Sequence, residues 1–141
     1  GEDGTASPML TNCDISGNSG THSGGGMYNN ASNDAIVNPN LINCTITGNS
    51  STHNGGGMYN NASNDAIVNP NLINCTITGN SSTNGGGMHN NASNYGLVSP
   101  TLTNCILWGN SSIVYNNDES YPTYSYSIIC FGQHNLLLNS E

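Results

Sequence analysis

Apolar residues recur in the same order every 30 to 31 residues along this chain. The segment GGGMYNNASNDAIVNPNLINCTITGNSSTHN, which begins at Gly24, is repeated almost letter for letter from Gly55 and more loosely from Gly85. Each copy delivers its apolar residues at matching offsets among Asn, Ser, Thr and Gly. A repeat of roughly 20 to 50 residues predicts a stack of like units, each burying its apolar face against its neighbours.

Within one unit the pattern predicts short strands rather than helices. Residues 24–26 are three glycines that mark a tight bend, and residues 27–29 form a short strand. Residues 29–34 read as a polar loop, residues 35–37 as a second apolar patch, and residues 41–47 as the longest strand. Helix is disfavoured because Gly, Asn, Ser, Thr and Pro dominate and no stripe with a period of about 3.6 residues exists.

The copies, compared with one another, separate inward from outward positions. Three sets of positions keep the same residue from copy to copy, and the residue that follows each Met and Leu position varies. We therefore predict that the side chains of the three sets point inward. These sets are Met27, Met58 and Met88; Leu10, Leu41, Leu72 and Leu102; and Cys13, Cys44, Cys75 and Cys105. Tyr and Thr are predicted to point outward.

Strict alternation cannot place both Leu41 and Cys44 inside, because they are three residues apart. A bend at Asn43 resolves the conflict, with the Asn backbone in the left-handed region that it tolerates better than most residues. The equivalent residues are Asn12, Asn43, Asn74 and Asn104. We expect their amides to stack as a ladder, hydrogen-bonded from one coil to the next.

The repeat predicts a single all-β domain over residues 1–141. One period suits one turn of a three-sided coil, and the chain provides four full coils and a partial fifth. The units cover approximately residues 1–23, 24–54, 55–84 and 85–110, followed by an irregular C-terminal coil and tail at 111–141. Residues 124–130 are predicted to be the last strand.

The repeat also resembles a known family. GGGMYN followed by P-x-L-x-N-C-T-I-x-G-N-S is similar to the repeat of bacterial surface and secreted proteins built as right-handed parallel β-helices. The segments NCILWGNSS and YSYSII resemble the C-terminal end of that family. The resemblance covers nearly the whole chain and implies a right-handed parallel β-helix of four to five coils. It implies no particular activity.

The charge composition excludes several classes of partner. The chain has no Lys or Arg and eight acidic residues, which gives a net charge of −8. Binding to nucleic acid or to an anionic membrane surface requires cations, so neither is expected. No apolar run approaches the roughly 20 residues of a membrane span, so membrane insertion is not expected. The absence of trypsin-type cleavage sites favours an extracellular or cell-surface location.

The cysteines and histidines are expected to have structural roles rather than to bind a metal. The four stacked cysteines are predicted to be free buried thiols, since parallel Cβ vectors suit a disulfide poorly. A bridge between Cys105 and Cys130 is the one disulfide left open. His22 and His53 occupy equivalent loop positions, with Asn84 assigned to the next coil. Zinc needs converging ligands rather than a row, so we expect no metal and no cofactor.

The acidic residues give little support to an enzyme. Asp34 and Asp65 are equivalent, and paired carboxylates can cleave glycosides, but Tyr95 replaces the third copy. A plain loop or a weak Ca²⁺ site is favoured over catalysis. Polysaccharide lyases with a β-helix fold depend on basic side chains that this chain lacks.

Asparagines in N-x-S/T motifs are candidates for N-glycosylation. Asn43 and Asn74 are assigned to the amide ladder, which leaves Asn49, Asn80 and Asn110 as candidates on the surface.

The two ends of the solenoid provide the leading functional hypothesis. A β-helix exposes unpaired backbone groups at its first and last coils, and these can template further strands. We therefore expect a non-enzymatic extracellular structural protein that stacks on itself head to tail into a filament or surface fibre. The alternative is a glycan-binding segment of a bacterial surface adhesin, which uses Tyr28, Tyr59 and the Asn-rich face. A polysaccharide-active enzyme is the third hypothesis.

Overall fold

Most strands of this chain pair in parallel with the strand one period later. The computed structural model describes residues 4–117, 119–131 and 134–138, and these contain strands and turns but no helix. Met27 lies beside Met58, and Met58 lies beside Met88, in one continuous register. The prediction of an all-β parallel solenoid is therefore confirmed.

The strands are short and follow one another in the same order in successive coils. The first coil contains β1 (Thr5–Ala6), β2 (Met9–Thr11), β3 (Asp14–Ser16) and β4 (Ser19–Gly20). The next contains β5 (Met27–Ser32), β6 (Ile36–Val37), β7 (Asn40–Ile42), β8 (Thr45–Thr47) and β9 (Ser50–Ser51). The third contains β10 (Met58–Ser63), β11 (Ile67–Val68), β12 (Asn71–Ile73) and β13 (Thr76–Thr78). The rest are β14 (Met88–Ser93), β15 (Leu97–Val98), β16 (Thr101–Thr103), β17 (Ile106–Trp108), β18 (Val114–Asn116), β19 (Thr123–Ser125), β20 (Ser127–Phe131) and β21 (His134–Leu138).

Equivalent strands form the sheets that line the sides of the solenoid. We call β5, β10, β14 and β18 the long-strand sheet, because the first three of these strands have six residues each. The other large sheets are β1-β6-β11-β15, β2-β7-β12-β16-β19 and β3-β8-β13-β17-β20-β21. Strand β21 is the exception to the parallel arrangement, since it pairs antiparallel with β20.

The solenoid has about three complete turns, so the prediction of four to five coils is wrong. Before β5, the described part of the first coil provides no partner for the long-strand sheet. At the other end the chain takes a shorter path, because Val114 already pairs with Met88 and Asn116 lies only 26 residues after Asn90. The irregular segment after residue 110 thus yields a partial coil rather than a full one.

The apolar interior is narrow and is filled by the residues that stay the same between copies. Leu41, Leu72, Met58 and Met88 are fully buried, together with Cys44, Cys75, Ile46 and Ile77. A second, smaller column of Ala and Val lies beside β6, β11 and β15. At the first end the equivalent positions are only partly buried: Leu10, Cys13 and Ile15 of the first coil and Met27 at the start of the second. That end of the core has no further described coil to cover it.

The predicted bend at Asn43 is confirmed. Asn12, Asn43, Asn74 and Asn104 all have φ between 53° and 55°. Each bend is supported by the following cysteine, as Cys44 donates through Sγ to the carbonyl oxygens of Ile42 and Leu10. The bend turns Leu41 and Cys44 to the same interior.

The segment predicted as a polar loop is mostly strand. Met27–Ser32 is a six-residue strand, and the turn after it consists of Asn33 and Asp34, with φ of 54° and 60°. Polar residues can occupy this strand because Asn29 and Ala31 point inward, where the amide of Asn29 is hydrogen-bonded. The predicted strand at 124–130 is also divided, at Tyr126, where φ is 48°.

Candidate interaction surface on the long-strand sheet

One aromatic side chain from each strand of the long-strand sheet stacks on its outer face. Tyr28, Tyr59, His89 and Tyr115 form this aromatic column. Adjacent ring centroids are 5.3, 5.2 and 4.7 Å apart from the first coil to the last. Parallel register alone produces the column, because equivalent residues on adjacent strands lie one strand spacing apart.

Exposure along the column depends on how many rings cover each side chain. The Tyr28 and Tyr115 side chains at the two ends are 56% and 46% exposed, whereas His89, between Tyr59 and Tyr115, is 5% exposed. The interior residues Tyr59 and His89 each have a neighbouring ring on both sides. The free aromatic surface is therefore concentrated at the first and last strands of the sheet.

His89 is the most buried member of the column. Its Nδ1 atom is buried and has no hydrogen-bond partner among the described residues. Burial lowers the pKa of His89, partly offset by a backbone interaction with Asn84. Burial also raises the pKa of the neighbouring Tyr59 hydroxyl. His89 therefore favours the neutral form.

A buried ladder of amides runs along the inner face of the same sheet. Asn29 Nδ2 donates to Asn60 Oδ1 at 2.8 Å, Asn60 donates in the same way to Asn90 at 2.8 Å, and Asn90 donates to Asn116 at 2.7 Å. We call this the inner ladder. Every donor in it points toward the C-terminal end, so the ladder has a polarity.

An outer ladder with the opposite polarity lies one residue further along each strand. Asn61 Nδ2 donates to Asn30 Oδ1 at 2.7 Å, and Asn91 donates to Asn61 at 2.6 Å. The ladder predicted at the bends is present in part: Asn43 donates to Asn12 and Asn74 to Asn43, each at 3.2 Å, whereas no amide bond joins the described residues Asn104 and Asn74. Amide side chains thus connect the coils where salt bridges would need cations that the chain lacks.

The expectation that Asn49 and Asn80 lie on the surface as glycosylation candidates is wrong. Their side chains are 0% and 1% exposed. The Asn80 amide accepts from the backbone N–H of Asn49 and donates to the carbonyl of Ile46, at 2.9 and 2.8 Å. Asn110 occupies the equivalent place and is also hydrogen-bonded. An attached glycan would remove these contacts, so the folded chain offers no access at Asn49 or Asn80.

The stacked cysteines are thiols of the apolar core. A hydrogen bond with the Cys75 thiol together with burial raises the pKa of Cys105, the same hydrogen bond lowers the pKa of Cys75 to about 6, and burial raises the pKa of Cys44. Cys13, Cys44, Cys75 and Cys105 are free thiols, so the Cys105–Cys130 bridge left open from the sequence is not formed. Cys130 is buried in the same core.

The other candidate residues lie on the surface, apart from the aromatic column. The rings of His22 and His53 stack with centroids 5.8 Å apart. Asn84 is not their equivalent, since it pairs with Asn54, and the third coil lacks one residue here. Asp34 and Asp65 are exposed at equivalent turns. The described part of the chain contains no pocket and no group of metal-ligating side chains.

The sequence copies contained a signal for the buried amides that the strand pattern obscured. Asn29, Asn60 and Asn90 are the same in every copy, as are Asn49, Asn80 and Asn110. When the sequence is read for apolar residues alone, these asparagines look like parts of polar loops. An Asn that stays unchanged in each coil indicates a ladder, because each amide needs an equivalent one above and below it.

Comparisons with known proteins add no assignment. No family model, no curated protein and no solved structure matches the chain. The described residues also contain no helix able to cross a membrane.

Proposed function

We propose that this chain is a non-enzymatic, extracellular structural subunit whose solenoid associates end to end with further copies of itself. The observation that carries the proposal is the open edge of the first coil. Strands β1 to β5 each pair with a described strand on one side only. A row of unpaired N–H and C=O groups at a sheet edge favours the addition of another strand.

Partial exposure of the core at the same end supports this proposal. Leu10, Ile15 and Met27 are partly buried, whereas their equivalents in the second and third coils are fully buried. Met9, beside them, is 70% exposed. Covering this apolar end with another coil removes apolar surface from water and adds to the free energy of association.

The opposite end is only partly available for such a contact. Strand β21 occupies the outer side of β20 in antiparallel orientation, so that sheet does not offer a parallel edge. The outer sides of β18 and β19 have no strand paired to them among the described residues. An end-to-end contact is therefore expected to use these two sheets.

Microscopy and sedimentation of the purified chain test the proposal. We expect elongated particles whose length and sedimentation coefficient increase with concentration. Met9→Lys places a charge at the open edge and is expected to weaken association, since edge lysines prevent strand addition. Tyr95→Lys makes the same change at an exposed position between β14 and β15 and serves as the control. Short, monodisperse particles at every concentration would overturn the proposal.

Glycan binding is a second candidate because Tyr28 is half exposed next to Asn30, where the outer ladder ends. The column covers the ring faces of Tyr59 and His89, so stacking on a sugar ring would depend mainly on Tyr28 and Tyr115. A glycan array tests this candidate directly. We expect any binding to be lost in Tyr28→Ala and retained in Tyr95→Ala; equal binding by both variants would exclude Tyr28 as the contact.

A further inference from the structure

We propose that the long-strand sheet forms the contact between two copies, with β5 of one copy pairing in parallel with β18 of the next. Met27 would lie beside Val114, Tyr28 beside Tyr115, and Asn29 beside Asn116. The inference rests on the proposed end-to-end association and specifies its register. The partner is a second copy of this chain.

The existing register of the sheet indicates these three pairs. Within one copy, Met88 pairs with Val114, His89 with Tyr115, and Asn90 with Asn116. The corresponding residues of β5 pair with β10 in the same order. A copy added beyond β18 in this register continues the sheet by one more parallel strand, without a shift between inward and outward positions.

The aromatic column is completed by the same contact. Tyr28 and Tyr115 each have one ring neighbour, whereas Tyr59 and His89 each have two. Placing Tyr28 on Tyr115 gives both end rings a second neighbour and covers the faces that are now half exposed. Aromatic pairs at such separations stabilise a contact beyond the burial of their area.

The polarity of the inner ladder selects a head-to-tail arrangement. At the first strand, Asn29 uses Nδ2 to bond Asn60, and its Oδ1 faces the open edge as an acceptor. At the last strand, Asn116 uses Oδ1 to accept from Asn90. Its Nδ2 carries two hydrogens, so an interaction with the Tyr124 hydroxyl leaves one of them for another acceptor. Donor therefore meets acceptor head to tail, whereas a head-to-head contact would bring two acceptor oxygens together.

Such a contact joins two different surfaces of the chain. A contact between different patches does not close on itself unless its rotation closes a ring, so it repeats from copy to copy. The inference thus predicts open filaments rather than closed dimers.

A charge exchange across the proposed contact tests the register. In the double variant Tyr28→Glu/Tyr115→Glu, two acidic side chains would face each other at every junction between copies. We expect the association of this variant to weaken at least about tenfold. The double variant Tyr28→Lys/Tyr115→Glu would face opposite charges, and we expect association to be restored at low salt and lost at high salt. Both positions are half exposed, so circular dichroism is expected to show the wild-type fold in each variant.

The outcomes separate the register from the association itself. If the wild-type chain assembles and both double variants assemble equally well, the β5–β18 contact is wrong and the end-to-end association stands. If the wild-type chain stays monomeric at every concentration, the association fails as well. Amide hydrogen exchange gives an independent measurement, since assembly in this register is expected to protect β5 and β18 more than the control segment β11.

Discussion

The imidazole ring of His89 stacks on the phenol ring of Tyr115, with centroids 4.7 Å apart and planes inclined by 28°. Tyr59 lies on the other side of the same imidazole, at 5.2 Å. The position equivalent to His89 is Tyr in the two preceding coils. The column therefore contains one titratable imidazole, close to the end of the sheet. Burial favours its neutral form.

This arrangement predicts that the chain loses stability in acid through His89. Burial lowers the pKa of His89 below the usual value of 6.5, so the unfolded chain binds the proton more readily than the folded one. Protonation of His89 therefore lowers the stability of the folded chain. This loss is absent above the unfolded pKa, appears as the pH falls below 6.5, and is complete below the folded pKa. The titratable groups facing it are the phenols of Tyr59 and Tyr115.

The variant His89→Tyr tests that prediction, because it restores the residue of the other coils. We expect wild type to lose more unfolding free energy than His89→Tyr between about pH 7.5 and pH 5, measured by urea denaturation. The difference between the two chains cancels the contribution of carboxylates that titrate in both. An identical pH dependence in the two chains would show that His89 is not the sensitive group.

The inner ladder predicts unequal costs for two adjacent asparagines. Asn60→Ala leaves the Asn29 donor and the Asn90 acceptor buried without partners, and we expect a loss of about 2–3 kcal/mol. Asn61→Ala, one residue later, removes outer-ladder bonds that water can replace, and we expect less than about 1 kcal/mol. Chemical denaturation of both variants measures the difference. Equal losses would contradict the assignment of inside and outside on β10.

Close approach of two coils predicts that Gly56 tolerates no side chain. A Cβ atom there would overlap the carbonyl oxygens of Ser81 and Gly86, which belong to the coil above. We expect Gly56→Ala to cost about 3 kcal/mol or more, because backbone atoms cannot move aside. Gly48→Ala is the control: nothing lies within 4 Å, and φ is +63°, so only about 1 kcal/mol is expected. Thermal melting of the two variants compares the costs.

Burial of the thiol column predicts selective labelling. Cys13 is half-buried in the first coil, while Cys44, Cys75 and Cys105 are 1% exposed. We expect a thiol reagent to modify Cys13 in the native chain and the other three only when the chain unfolds. Peptide mass spectrometry after timed labelling identifies the modified residues. Fast native labelling of Cys75 would contradict a closed core.

Much of the coil could be predicted from the sequence because its signals are local. Leu41 and Cys44 occur three residues apart, which requires a bend between them, and Asn is the residue that adopts it at low cost. The position of Asn80 could not be predicted in the same way. A hydrophilic residue within a Ser-rich segment is usually exposed, and only the neighbouring coil supplies the carbonyl of Ile46 and the N–H of Asn49 that allow its burial.

The sequence by itself determined the parallel stacking, the repeat register and the inward placement of Met58, Leu72 and Cys75. A period repeated with the same residues can bury them all only by stacking equivalent positions. Tertiary structure alone decided the number of turns, the antiparallel strand β21, which of the amide ladders lie inside, and the burial of His89. These depend on contacts between coils, in which a polar side chain is stable inside only when another coil provides its hydrogen-bond partner or covers its ring.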